Sequence, residues 1–278
     1  MATLTHLHSV PAGPQPAPCE SVVRPPHPRL RPYVLGYGGF RSGSGQPVRH
    51  RILPMNLTTL IIDLDGPYGL VTGARGTAST QGQTGWGHGV SVGLTPAGVS
   101  ALLGVPMPEL AGRTARLADV LGHRAAELAE RLAAAPDFPS RFALLDDRLA
   151  AWAVAGRSAR WAAKDRPRDQ LITEAWWRLQ RGTGRPRVGT VAGELGVSRR
   201  YLEVGFRRRI GLSPATVARV ARFQRAVHLL GTGTDLPRTA IESGYADQPH
   251  LTRETRAMAG VTPRQLCAFL QDVRAAHA

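Results

Sequence analysis

The feature that most constrains this chain is an internal repeat: residues 198–214 and 247–263 carry one pattern, 49 positions apart. The matched pairs are Ser198/Asp247, Tyr201/His250, Leu202/Leu251, Arg207/Arg256, Gly211/Gly260, Leu212/Val261, Ser213/Thr262 and Pro214/Pro263. Upstream the copies stay aligned at an offset of 48 through Ala192/Ala240 and Gly196/Gly244, so the second copy has one extra residue in the turn after its glycine. Each unit reads as a short helix, a glycine turn, a capped second helix and a Gly-apolar-Ser/Thr-Pro stop.

In the first unit Val191, Ala192 and Leu195 face inward on the short helix, and Gly196 supplies the left-handed residue that stops it. Ser198 caps the next helix, its side-chain oxygen accepting a free N–H of the first turn. Leu202 and Phe206, four apart, form the buried stripe of that helix. Arg199, Arg200, Glu203 and Arg207 are left pointing outward. The second unit repeats the logic with Ala240 in the short helix, Gly244 in the turn, Asp247 as cap and Leu251 inward. Gln248, His250, Thr252, Arg253 and Arg256 lie on or near its exposed side. This is a helix-turn-helix arrangement, whose second helix enters the DNA major groove. The exposed residue types suit base reading: arginine bonds guanine bidentately, glutamine does the same to adenine, and glutamate accepts from cytosine. Ser213 and Pro214 start a third helix whose stripe of Val217, Val220, Phe223, Val227 and Leu230 runs to Gly231. At about 1.5 Å per residue it is about 25 Å long, enough to hold two reading helices near the roughly 34 Å spacing of successive major-groove faces.

Composition supports a polyanionic partner. The 278 residues carry a formal net charge of +15, and Lys164 is the only lysine. Arginine enrichment also follows from GC-rich codons, so the distribution of charge decides more than its total. From Arg185 onward there are 15 basic and 7 acidic residues, against 20 and 13 in the longer part before it, so the excess is densest in the repeated region. Cys19 and Cys267 match neither a disulfide framework nor a metal spacing, which fits a reducing cytoplasm. No apolar run approaches the roughly 20 residues that span a bilayer, and no signal peptide is evident, so no membrane partner is expected.

Residues 1–28, rich in Pro, His and Ser without periodicity, read as a disordered lead-in, and its His6-x-His8 pair lacks a carboxylate for metal binding. Residues 29–105 hold short apolar bursts between glycine turns, Tyr33–Leu35, Leu57–Leu64, Tyr68–Val71 and Val90–Leu94, which predict a small β-barrel or sandwich. Helical spacing follows, with Leu117, Val120, Leu121, Leu128 and Leu132 in one run, Phe142, Leu145, Leu149 and Trp152 in another, and Leu171 to Leu179 in a third. The expected class is therefore α+β: a β-rich, cupin- or barrel-like N-terminal domain with a helical appendage (29–180), a linker at 181–187, an all-α domain with two helix-turn-helix motifs joined by a long helix (188–270), and a tail (271–278).

The repeated region resembles the DNA-binding domain of the AraC/XylS family of bacterial transcription regulators. The resemblance rests on Val191-Ala-x-x-Leu-Gly-Val-Ser-x-x-Tyr-Leu-x-x-x-Phe206, Gly211-x-Ser-Pro214, Gly244-Tyr-x-Asp-Gln-x-His-Leu-x-Arg253 and Gly260-Val-Thr-Pro263. It implies reading helices at about 198–209 and 247–258. DNA-facing positions then fall on Arg199, Arg200, Glu203 and Arg207 in the first, and on Gln248, Pro249, His250, Thr252, Arg253 and Arg256 in the second. The chain departs from the family pattern in three places. Val204 stands where many members have a DNA-contacting arginine, Gly205 follows it and loosens the helix, and Thr255 replaces a buried phenylalanine. The second reading helix is thus expected to carry more of the base recognition. Pro32-Tyr-Val34, Arg51-Ile-Leu-Pro54 and Gly93-Leu-Thr-Pro-Ala-Gly98 leading into Leu102-Leu-Gly-Val-Pro106 are similar to a segment preceding this domain in regulators from GC-rich bacteria. In better-known members such a part binds a small effector or dimerises.

Two other classes compete. A non-specific architectural binder would use the same basic surface electrostatically. A metal-dependent enzyme of cupin type would need His50, Asp63, Asp65, His88 and Glu109 to converge, although no close His-x-His and carboxylate set occurs. Gly85-Trp-Gly-His-Gly89 has a mobile-loop composition that could edge an effector site. Trp152, Trp161, Trp176 and Trp177 read as packing residues. The expectation is a non-enzymatic regulator without cofactor or metal, its partners being double-stranded promoter DNA, RNA polymerase, a small-molecule effector and a second copy of the chain.

Overall fold

The computed structural model describes residues 7–13, 19–66, 69–81, 84–158, 166–181 and 187–275. A β-rich N-terminal domain is followed by a helical C-terminal one. Among the described residues nine strands form two antiparallel sheets: β1 (Ser9–Pro11), β2 (Glu20–Arg24), β3 (Val34–Arg41), β4 (Val48–Ile52), β5 (Thr58–Asp63), β6 (Gly69–Thr72), β7 (Gly85–Trp86), β8 (His88–Leu94) and β9 (Thr114–Arg116). The larger sheet has the order β2-β3-β8-β5-β6-β9 and the smaller β1-β4-β7. Strand β5 is central and covered on both faces, which explains its nearly continuous apolar run. Its Leu60 and Ile62 join the main core, while Ile61 with Leu70 meets Ile52 and Trp86 of the smaller sheet.

Several sequence expectations change here. Part of the segment read as a disordered lead-in is ordered: Ser9–Pro11 pairs with Pro11↔His50 and Ser9↔Ile52 in register, and Glu20–Arg24 is an edge strand along β3. Neither has periodicity of its own because each draws its hydrogen bonds from a distant strand. His6 of the His6-x-His8 pair lies outside the described residues. The glycine-flanked segment 85–89 is strand β7 and the start of β8 rather than a loop. There His88 Nδ1 lies 3.2 Å from Asp65, and its Nε2 lies 3.0 Å from Arg141. His50 instead stacks on Trp86, 4.1 Å between ring centroids. Among the described residues no group of three His, Cys, Asp or Glu gathers as a metal site, and no helix is long and apolar enough to cross a membrane.

Three short helical turns, α1 (Pro96–Gly98), a π-helical turn (Val99–Leu103) and α2 (Met107–Leu110), lead from β8 to β9. The run expected to be one helix is broken by Gly122, at φ 59°, into α3 (Leu117–Leu121) and α4 (His123–Ala134). Helix α5 (Phe138–Ser158) lies against β3, where the absent side chain of Gly39 makes room for Phe138. Asp146 fastens α5 to the sheet, accepting from Tyr37 Oη at 2.8 Å, the His27 amide at 2.9 Å and Arg24 Nη2 at 2.6 Å. Burial and this carboxylate together push the Tyr37 phenol far up.

Helix α6 (Arg166–Arg181), assigned from sequence to the N-terminal part, packs instead with the C-terminal helices α7 (Val188–Glu194), α8 (Arg199–Arg209) and α9 (Pro214–Gly231), burying Ala175, Trp176 and Leu179. The linker expected at 181–187 lies mostly outside the described residues. After α10 (Leu236–Glu242) and α11 (Gln248–Ala259), α12 (Pro263–Ala275) continues through most of the segment read as a tail. Its Leu266 and Leu270 are buried against α9 and give the helix a reason to run on.

The two domains share a core. Residues of the large sheet, α5, α6 and the first repeat form one continuous apolar cluster, and Val10 and Leu53 enter a second with Val220, Phe223 and Leu270. Polar bonds fix this junction. Asn56 Nδ2 donates to the Val217 carbonyl at 2.8 Å, Trp176 Nε1 to the Asn56 carbonyl at 3.1 Å, and Gln224 Nε2 to the Pro54 carbonyl at 2.8 Å. Trp176 is therefore a packing residue, while Trp161 lies outside the described residues.

Beneath the smaller sheet, His8 bonds Thr72 Oγ1 at 2.8 Å and its ring tilts over Trp86. Desolvation, helped by the nearby His50 and Arg75, lowers His8 from 6.5 to about 3, and desolvation lowers His50 to about 4. Both rings are neutral in the fold and take protons more readily when unfolded. Stability is therefore full above about pH 6.5 and falls as pH drops below it, by up to about 1.4 kcal/mol per pH unit for each ring, down to the lowered values. Urea unfolding between pH 7 and 4.5 checks this. The His8→Gln/His50→Gln double variant should show a flatter acid limb than the parent, and parallel profiles would remove the two histidines from the explanation.

Candidate nucleic-acid interface

The two repeats fold into matching units. In the first, Val191 and Ala192 are buried on α7, Leu195 is half-buried, and Gly196 turns the chain at φ 64°. The Val197 amide donates to the Ala192 carbonyl at 3.0 Å, and Ser198 Oγ accepts from the Tyr201 amide at 3.1 Å. In the second, Gly244 turns at φ 82°, the Tyr245 amide donates to the Ala240 carbonyl at 2.9 Å, and Asp247 Oδ1 accepts from the His250 amide at 2.6 Å. Turn, back-bond and cap thus recur at the same repeat positions. Leu202, Phe206 and Leu251 are fully buried, which turns the opposite faces of α8 and α11 to solvent.

On α8, Arg199, Arg200 and Arg207 are exposed and Glu203 is half-buried. On α11, Pro249, Arg253 and Arg256 are exposed, and Gln248, His250 and Thr252 are half-buried. His250 is held more tightly than its sequence position suggests. Its Nδ1 accepts from the Ala246 amide at 3.2 Å and its ring stands edge-on to Tyr245, 5.2 Å away, which leaves Nε2–H as the donor it can present. Burial pushes the Tyr245 phenol up to about 12.

Helix α9 spaces the units. Ser213 Oγ accepts from the Thr216 amide at 3.1 Å, Pro214 opens the helix, and Val217, Val220, Phe223, Val227 and Leu230 are buried as expected. Helix α11 is fastened to it by a two-point ion pair, Arg219 Nε to Glu254 Oε2 at 2.7 Å and Nη2 to Oε1 at 3.3 Å, which holds the Glu254 carboxyl below the usual range. Sequence reasoning passed over this pair because Arg219 and Glu254 sit on different helices and no local spacing links them. Both stops of the repeat also touch the N-terminal domain. Gly211 lies against Pro108 and Ala111, the Ala259 carbonyl accepts from Arg51 Nη1 at 3.3 Å, and the Ala78 amide donates to the Met258 carbonyl at 2.6 Å. A cleft of about 510 Å³ opens at the first of these contacts, lined by Arg75, Thr77, Ser79, Gly112, Gly211 and Leu212.

Residues 191–268 match a family model described as a helix-turn-helix domain, and residues 23–116 match one described as a domain of unknown function. The C-terminal part of the chain is thus a helix-turn-helix domain of the kind that DNA-binding transcriptional regulators of the AraC type carry. It is similar to a crystal structure of an AraC-type transcriptional regulator from Chromobacterium violaceum, with 27% identity over 38% of this chain and 96% of the other, at a TM-score of 0.36. It is also similar to ToxT from Vibrio cholerae O395, with 13% identity over 91% of this chain and 97% of the other, at a TM-score of 0.47. Another ToxT structure, from strain SCE256, holds an unsaturated fatty acid; it is 10% identical over 95% of this chain and 97% of the other, at a TM-score of 0.44. A comparison with curated proteins returns no match.

Around the repeats the arginines sort into two groups. Arg178, Arg219 and Arg238 are paired with Glu174 and Glu194, Glu254, and Glu242 respectively. Arg199, Arg200, Arg207, Arg253 and Arg256 have no carboxylate partner among the described residues, so their guanidinium groups are available to phosphates or bases. Gly205 also changes meaning. Beyond its low helix propensity it has a packing role: a Cβ there would lie 2.2 Å from Ile172 Cδ1, so glycine lets α6 pack closely against α8. Gly205→Ala should then cost about 1–3 kcal/mol by overpacking. In an Ile172→Ala background the same change should become neutral or stabilising, because alanine is the better helix former by about 0.5–1 kcal/mol. Chemical denaturation of the four-member cycle measures the reversal, and an equal cost in both backgrounds would exclude the contact as its cause.

Proposed function

We propose that this regulator reads two successive major-groove segments of promoter DNA sequence-specifically, with α8 and α11 as its reading helices. The observation that carries this reading is the pairing of two equally capped helices, each with unpartnered arginines on its outer face, on one buried connecting helix. An architectural binder needs only positive surface. It does not need two helix-turn-helix units set at a fixed spacing by α9 and the Arg219–Glu254 pair. At about 1.5 Å per residue the 18 residues of α9 span about 27 Å, compatible with one helical turn of DNA between the reading helices.

Within this proposal Arg199, Arg200, Glu203, Arg207, Gln248, Pro249, His250, Thr252, Arg253 and Arg256 form the DNA-facing set. Arg253 is the leading base reader, and His250 offers a single donor. RNA polymerase, a small-molecule effector and a second copy of the chain complete the partners proposed for such a regulator.

Selection of duplexes from a random pool by the full chain, followed by footprinting, tests the reading. One enriched sequence protected over two adjacent major-groove faces is expected. On that duplex Arg253→Ala should lose about 1–3 kcal/mol and relax one base position. Affinity that falls equally for selected and random duplexes as salt rises would indicate a purely electrostatic binder instead.

A further inference from the structure

Val204 is one of the few large apolar side chains left exposed among the described residues, at 47%, and it lies on a reading helix. Its position on α8 is defined by the buried stripe. At 100° per residue, the mean direction of Leu202 and Phe206 points into the core, and Val204 lies diametrically opposite. Arg200 and Arg207 flank it on one side of the outer arc and Arg208 on the other, all exposed. The repeat places Val204 where the second unit has Arg253, also exposed. No fold contact accounts for an apolar group there, and a β-branched residue at an exposed helical site is a mild cost to α8.

Resting on the reading of α8 as a DNA-facing helix, we propose that Val204 is a specificity-determining residue that packs on the 5-methyl group of a thymine in the major groove. The thymine methyl is the apolar group that a base edge presents there, and small apolar side chains are its natural contacts. The arginines on either side supply the phosphate and guanine contacts that hold the helix against the groove. The two units then read by different chemistry: α11 through the Arg253 guanidinium, and α8 through an apolar contact framed by cations.

The test uses the full chain and its selected duplex, with each thymine in the segment facing α8 replaced in turn by deoxyuridine, which pairs identically and lacks only the methyl. At one position the parent protein should lose about fourfold in affinity, the scale of one buried methyl. Val204→Ala should bind the thymine and deoxyuridine duplexes alike, and Val204→Thr, which keeps one methyl, should fall between. Circular dichroism confirms that both variants are folded. Equal binding of thymine and deoxyuridine duplexes by the parent, or an unchanged ratio in Val204→Ala, overturns the inference while leaving the DNA reading intact, provided Arg253→Ala still weakens binding. Failure to enrich any duplex overturns both.

Discussion

The junction of α9 with the loop from Leu53 to Leu57 is the constraint on which the rest of the molecule depends. Apolar burial along Val217, Val220, Phe223, Val227 and Leu230 supplies adhesion but is non-directional and would tolerate sliding. Direction comes from two buried amides. Asn56 donates to the carbonyl of Val217, and Gln224 donates to Pro54 and Leu7 while accepting from the Leu7 amide. Shifting α9 by one residue would strand these groups without water, at about 1–3 kcal/mol each. The helix that spaces the two reading elements is thereby registered against the N-terminal domain.

What could be read from the sequence divides along the same physical line. Caps, turn glycines and the α9 stripe are local chemistry: Ser198, Asp247 and Ser213 each bond an amide three residues on, and each stripe repeats within its own helix. The bounds of helices α8 and α11 were therefore legible almost to the residue. Strands β1, β2, β4, β7 and β9 were not, because short strands whose partners lie elsewhere in the chain leave no periodicity in the window that contains them. Helix α6 was recognised as a helix but assigned to the wrong domain, since its stripe of Ala175, Trp176 and Leu179 specifies burial without specifying the partner. Gly205 shows the same limit. Its meaning depends on Ile172, 33 positions upstream, and sequence alone offered only its helix propensity.

The repeat positions that differ between the units explain how the two are held. Position 205 in the first corresponds to 254 in the second. In the first unit the site is a glycine that admits α6, so α8 is seated in the main core through apolar contact. In the second it is a glutamate that binds Arg219, and α11 rests on small clusters around Tyr245 and Met258 with Thr255 buried between them. A duplicated sequence has been adapted to two different neighbours. Helix α8 is set by packing and α11 by an ion pair at the surface of α9.

These attachments bear on how the N-terminal domain can influence DNA reading. Gly211 rests on Pro108 and Ala111, while Met258 and Ala259 take hydrogen bonds from Ala78 and Arg51. Both repeat stops are thus in contact with one domain, and α9 between them is registered to it by Asn56 and Gln224. A movement that separates the domains must therefore break contacts at the ends of both reading helices and along the spacer. Because interdigitated side chains repack in discrete steps rather than by continuous deformation, the separation and orientation of α8 and α11 are coupled to the N-terminal domain as a unit. The exposed arginines determine what the helices can touch, and this junction determines where both of them are when they do.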